Sequence, residues 1–241
     1  MNGTTAFEYV HDGLRMVGQL ARPASLGPVP AVMVMHDGQG VSDFVRQRAK
    51  DLADRGYIAL ATDMFGGGER PPQAEGIRLV QTLRKEGSVL RDRVVASFRA
   101  LRDVPGVDPG RIGAIGYCFG GQCVLELARS GAHVEAVVSF HGTLGTTLSA
   151  EPGAVKAKVL VLTGALDPFA PQSDLETFKQ EMTQACVDWT MTIYSNGKHG
   201  FTDPIADKAA ETMAGVGYDA ALDRLSWAQA MSFLDAHLRD G

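Results

Sequence analysis

The sequence predicts an α/β fold: a mostly parallel central sheet flanked by helices on both faces. Two observations carry this reading. Short runs rich in Val, Ile and Leu alternate along the chain with longer amphipathic stretches, the pattern of repeated strand–helix–strand units. Most of those runs also lack polar alternation, as expected of strands covered on both sides. A chain of 241 residues suits one domain of this architecture, spanning 1–241.

The first predicted strand is Val17–Leu20, whose polar neighbours suggest an antiparallel edge. Buried strands are expected at Ala31–Met35, Ile58–Thr62, Ile112–Gly116, Ala136–Phe140, Val159–Thr163 and Trp189–Tyr194. Helices fill the intervals at Phe44–Arg55, Gly76–Leu83, Val89–Arg102, Gln122–Arg129 and Ser173–Ala185, with a last one at Ala220–Leu238. In that last helix Trp227, Met231, Leu234 and Leu238 recur at helical spacing, so one stripe can lie on the sheet. Gly66–Gly68 with Pro71 and Pro72 marks a loop, and the less regular Asp203–Gly217 is a candidate lid.

Composition narrows the function classes. Lys and Arg total 23 against 28 Asp and Glu, a net charge of −5, which argues against a nucleic-acid partner. The densest basic stretch, Arg84 to Arg102, is interspersed with Glu86, Asp92 and Asp103 and reads as a solvated helix face. Three cysteines do not suggest a disulfide framework, Met1–Val10 has no secretory pattern, and the apolar runs are too short to span a membrane. A cytoplasmic location without a membrane partner is the expectation.

The most informative stretch is Gly116-Tyr117-Cys118-Phe119-Gly120-Gly121, between an apolar strand and a helical run. So tight a strand-to-helix turn strains its central residue and requires small neighbours two positions away, which Gly116 and Gly120 provide. Cys118 occupies the centre, and the following helix aims its positive end at the thiol, favouring thiolate. A dinucleotide site is excluded because G-x-G-x-x-G is absent, and a P-loop because no Lys-Ser or Lys-Thr follows.

Two further residues complete a set. Asp167 follows the strand Val159–Thr163, and His199 follows Trp189–Tyr194 beyond an Asn196-Gly197 turn. Nucleophile, acid and histidine in that order, each just past a strand, is the arrangement of α/β-hydrolases. Singly, Asp167 reads equally well as a turn acid and His199 as a surface histidine.

Together these residues resemble the dienelactone hydrolase family, which has the α/β-hydrolase fold. The matching pieces are Val32–Gly40, Gly56–Gly66, Arg111–Gly121 and the loops of Asp167 and His199. The most specific piece is a Cys at the elbow, where most hydrolases carry Ser. The resemblance implies that Cys118 attacks a small ester or lactone, that His199 acts as base and then acid, and that Asp167 orients the imidazole. It also implies an oxyanion hole from the Phe119 and Gly38 N–H groups, and no cofactor.

The chain departs from the family pattern in two places. The position of a thiol-activating Glu reads Asp37, one methylene shorter, and could equally serve its turn. Where dienelactone-cleaving members hold a substrate carboxylate with an arginine, Asp203 stands here; Arg78 and Arg84 read as ordinary helix arginines. Cys123 and Cys186 read as buried thiols, Asp63 as a loop anchor, and His36, His133 and His141 lack metal-ligand spacing, so no metal is expected. A fold-sharing protein that only binds a small molecule is the competing class, and an acyltransferase or peptidase would use the same three residues.

Overall fold

One strand shows how the sequence divides the core. In Val29–Met35 (β3), Ala31, Met33 and Met35 join the apolar cluster on one side of the sheet, while Val32 and Val34 join the other. Extended chain turns successive side chains to opposite faces, so a strand apolar at every position needs cover on both. The computed structural model describes residues 3–24, 27–68 and 70–239. In it Asp43–Asp54 (α1) and Ala220–Leu238 (α7) cover one face. Gln73–Lys85 (α2), Gly87–Arg102 (α3), Phe119–Arg129 (α4) and Gln172–Gln184 (α5) cover the other.

The remaining strands are Thr5–His11 (β1), Leu14–Ala21 (β2), Ile58–Ala61 (β4), Val107–Tyr117 (β5), Ala136–Phe140 (β6), Lys158–Gly164 (β7) and Trp189–Tyr194 (β8). They form one 8-stranded sheet in the order β1-β2-β4-β3-β5-β6-β7-β8. From β4 to β8 all neighbours are parallel; β2 runs antiparallel to both β1 and β4. This is the predicted α/β-hydrolase architecture. Parallel neighbours bring the carboxyl ends of β3, β5, β6, β7 and β8 to one edge, where ligands bind in open sheets of this kind.

Several expectations need correcting. The strand predicted as an edge, within β2, is internal, because β1 pairs along its whole length. β8, expected to be buried, is the opposite edge, and most of its side chains are partly or fully exposed. Cys186 is exposed rather than buried. It ends α5 in the left-handed region at φ 57°, with Cys186 N–H donating to Thr183 O and Val187 N–H to Met182 O. That helix-ending motif usually carries glycine at the Cys186 position.

The basic stretch of α2 and α3 is also more than a solvated face. Arg84 donates to Gln122 Oε1 and Thr143 Oγ1, both at 2.8 Å. Arg91 pairs with Glu126 at 2.7 Å, and Arg93 donates to Met64 O at 2.8 Å. Arg78 meets the simpler expectation and pairs with Glu75 on the surface. In α7 the stripe of Met231, Leu234 and Leu238 is buried and Trp227 partly so. Asp219 caps that helix by accepting from Ala221 N at 2.9 Å and Leu222 N at 3.0 Å. No helix among the described residues is long and apolar enough to cross a membrane.

Candidate active site

Two loops fix the floor of the site. The buried Asp63 carboxylate accepts from the N–H groups of Val17, Phe65, Gly66 and Gly68, at 2.7–3.0 Å. It anchors its loop, as its place after β4 suggested. His36, buried at the end of β3, accepts from Met64 N through Nε2 and faces Asp37 O through Nδ1. Burial pushes its pKa down, so the ring is a neutral staple between two loops.

The turn between β5 and α4 is as tight as the sequence requires. Cys118 has φ 53° and ψ −111°, a costly conformation for a non-glycine residue. A Cβ on Gly116 would lie 2.0 Å from Gly120 O, and one on Gly120 would lie 2.2 Å from Met35 O. Neither position accepts a side chain. Helix α4 begins at Phe119, three residues earlier than predicted, directly after Cys118. The Phe119 N–H is one of the first-turn donors that no helical carbonyl can reach.

The structure brings together the three residues singled out from the sequence. His199 Nε2 lies 3.0 Å from Cys118 Sγ, and His199 Nδ1 lies 2.9 Å from Asp167 Oδ2. The other Asp167 oxygen accepts from Phe169 N at 2.8 Å, which fixes the carboxylate. Burial pushes His199 down, but the charge of Cys118, the Asp167 hydrogen bond and the remaining contacts with both outweigh it and raise the pKa to about 10. Cys118 is partly exposed, whereas Cys123 lies fully buried with its thiol pKa pushed well up by burial.

The loop after β3 behaves differently. Both Asp37 oxygens accept from Gln39, its N–H at 2.8 Å and its side-chain amide at 2.9 Å. The carboxylate closes its own turn, and its hydrogen bonds go to Gln39, not Cys118. Gln39 also donates to Asp203 at 3.3 Å and accepts from Arg70, tying three loops together. Gly38 lines the same cavity as Cys118. Arg84 is occupied with Gln122 and Thr143 and does not line it.

Above Cys118 and His199 opens a cavity of about 520 Å³. Its walls include residues the sequence reading missed, chiefly His141, Phe169 and Arg70. His141 follows β6 directly, at φ 38°, and packs edge-on against His199 with ring centres 5.3 Å apart. Phe169 contributes a second edge contact at 4.7 Å. His141 Nε2 bonds Thr202 Oγ1 at 2.8 Å, and burial followed by the nearby His199 charge pushes its pKa well below normal. Its place just past a parallel strand was a readable signal. Arg70 had none, since only the folded loop after β4 carries it to the rim. The candidate lid contains a short helix, Ala206–Ala210 (α6), and its far end is stitched to the histidine: His199 N–H donates to Gly215 O and Gly217 N–H to His199 O.

Strand order, turn and cavity together define an α/β-hydrolase. The profile of the dienelactone hydrolase family matches residues 16–238, and the chain belongs to that family. It is thus an ester or lactone hydrolase acting on small molecules. A protein named m3DLH superposes with a TM-score of 0.92 at 35% identity, covering 98% of each chain. A dienelactone hydrolase-like promiscuous phosphotriesterase from metagenomic libraries gives 0.92 at 33% identity, covering 97% of this chain and 98% of that one. A Synechocystis relative named as a candidate carboxymethylenebutenolidase is 30% identical across 88% of this chain and 92% of its own.

Proposed function

We propose that Cys118 is the nucleophile of an ester- or lactone-cleaving reaction that passes through a thioester, with His199 as acid and base and Asp167 as its orienting partner. The observation that carries this is the continuous line from Sγ to Nε2 at 3.0 Å and from Nδ1 to Oδ2 at 2.9 Å, beneath an open cavity. With Asp167 facing Nδ1, that nitrogen holds a proton and Nε2 is free to exchange one with sulfur.

The reaction runs in two halves. The thiolate adds to the carbonyl carbon, and the oxyanion formed lies toward the N–H groups of Phe119 and Gly38. As the C–O bond breaks, the imidazolium gives its Nε2 proton to the leaving alkoxide. His199 then takes a proton from water, which adds to the thioester, and collapse expels the thiolate again. Asp37 acts in this scheme as the brace of the Gly38 loop, since both its oxygens hold Gln39.

The test is p-nitrophenyl acetate turnover by the parent and by Cys118→Ala. A loss of about 10³-fold or more is expected, the scale on which single members of such triads act. Undiminished turnover in the variant would refute the assignment. The metagenomic neighbour supports a second reading as a side activity: attack by the same sulfur on a phosphotriester. Hydrolysis of an aryl dialkyl phosphate that is lost in Cys118→Ala would bear it out, and none in the parent would dismiss it.

A further inference from the structure

Single exposed apolar side chains are ordinary, but a contiguous group of them marks a binding surface, and in this protein half of the large ones gather at one place. The described residues include eight: Val10, Ile77, Leu166, Phe169, Ile193, Ile205, Met213 and Leu225. Four of them, Ile77, Phe169, Ile205 and Met213, line the cavity above Cys118. They come from three separate elements: α2, the loop after β7 and the candidate lid. A collar assembled from three elements points to a common occupant.

The charges at the same rim give no net attraction for an anion. Asp37 and Asp203 are balanced in number by Arg70 and Lys208. Arg70 is engaged with Gln39, whose amide is shared between Asp37 and Asp203. Asp203, half-buried, has its carboxyl pKa raised, first by burial and further by the neighbouring Asp37. A third carboxylate brought to this rim would meet two already close together. The cavity, about 520 Å³, lies within the range of roughly 300–1,000 Å³ typical of sites for drug-sized ligands.

We infer that the collar is the acyl-group subsite for neutral esters with an apolar acyl chain, and that it disfavours substrates bearing a free carboxylate. This rests on the reading of Cys118 as nucleophile for turnover, though not for binding. The chain shares the hydrolytic family of its carboxymethylenebutenolidase-named relative while selecting a different substrate charge.

The experiment compares kcat/KM for p-nitrophenyl acetate, butyrate, valerate and the p-nitrophenyl monoester of glutaric acid. Each buried methylene is worth about fourfold, so butyrate, with two more than acetate, should exceed it by about 15-fold, mainly through KM. The glutarate monoester should fall at least about tenfold below valerate, its neutral counterpart in length. Ile77→Ser and Ile205→Ser, both at exposed positions, should each lower the butyrate-to-acetate ratio by about two- to fourfold. Asp203→Asn should raise the glutarate-to-valerate ratio. A glutarate monoester cleaved as fast as valerate, or a butyrate-to-acetate ratio near one, overturns the inference. Calorimetric titration of Cys118→Ala with non-hydrolysable ketone analogues of the valerate and glutarate esters separates the two readings. Tighter binding of the valerate analogue than the glutarate analogue there upholds the collar even if the nucleophile is misassigned, and equal binding rejects the collar whatever the turnover.

Discussion

The two ends of α4 are built on opposite terms. At its carboxyl end Arg129 has a fully buried side chain and makes four hydrogen bonds: two to Glu181, one to Glu126 at 3.0 Å and one to Leu144 O at 2.8 Å. Arg91 completes the cluster from α3, and Glu181 also accepts from Ala150 N. At the amino end Cys118 and nearby His141 both sit at positive φ. Around them Tyr117 Oη, Ser139 Oγ, His141 Nδ1 and Thr163 Oγ1 are buried without a hydrogen-bond partner among the described residues. One end is electrostatically saturated and serves to hold the segment after β6; the other retains strain and unspent polar atoms beside an open cavity. The difference teaches where stability has been relinquished for chemistry.

That contrast can be broken at either end. Arg129→Met should show the largest effect on stability, a loss of roughly 3–5 kcal/mol in urea unfolding, because it leaves the part-buried Glu181 without its cation and the buried Glu126 with Arg91 alone. A loss below about 1 kcal/mol would mean the cluster is not a keystone. At the other end Cys118→Gly should gain about 1 kcal/mol by releasing the strained backbone, raising Tm by about 2–4 °C while abolishing ester turnover. A drop in Tm would show that the thiol's packing outweighs the strain.

The pH dependence sharpens the same comparison. His199 is raised to about 10 in the folded state, above the roughly 6.5 of a free imidazole. Its contribution to stability is therefore complete below the unfolded value and is lost as pH climbs through about 10. In Cys118→Ala the sulfur's charge is gone, burial still pushes downward, and the upper edge of that window should move to lower pH. The His199 ring resonances in a proton titration check this; an unmoved midpoint would assign the shift to Asp167 alone. The smallest effect is expected remote from the site. Cys186→Gly should stabilise by about 0.5 kcal/mol, since glycine suits the left-handed helix end, and leave kcat/KM unchanged.

Much of this was legible in the sequence, for identifiable reasons. Strands such as Ala31–Met35 and Ala136–Phe140 announce themselves because burial on both faces removes polar residues from them. The same rule hid β1, whose Thr5–His11 mixes polar and apolar residues because it lies at an exposed edge. It also misjudged β8, which is apolar enough to read as central. Cys118, Asp167 and His199 could be found because each follows such a strand within a few residues. Arg84 and Arg91 could not be placed, because spacing along one helix does not reveal a partner on another. Arg70 and the apolar collar were invisible for the same reason: they meet only once α2 and the loops after β4 and β7 have converged with the 203–217 segment.

The stitching of His199 to the far end of the 203–217 segment constrains how anything leaves the pocket. Gly215 and Gly217 flank Val216 and bond the histidine's own N–H and C=O, one on each side. A wholesale swing of the segment would either sever both bonds or draw the His199 ring away from Cys118 Sγ. Any movement of the segment that keeps both bonds is confined to the arch between Asp203 and Met213, while its distal foot stays planted beside His199.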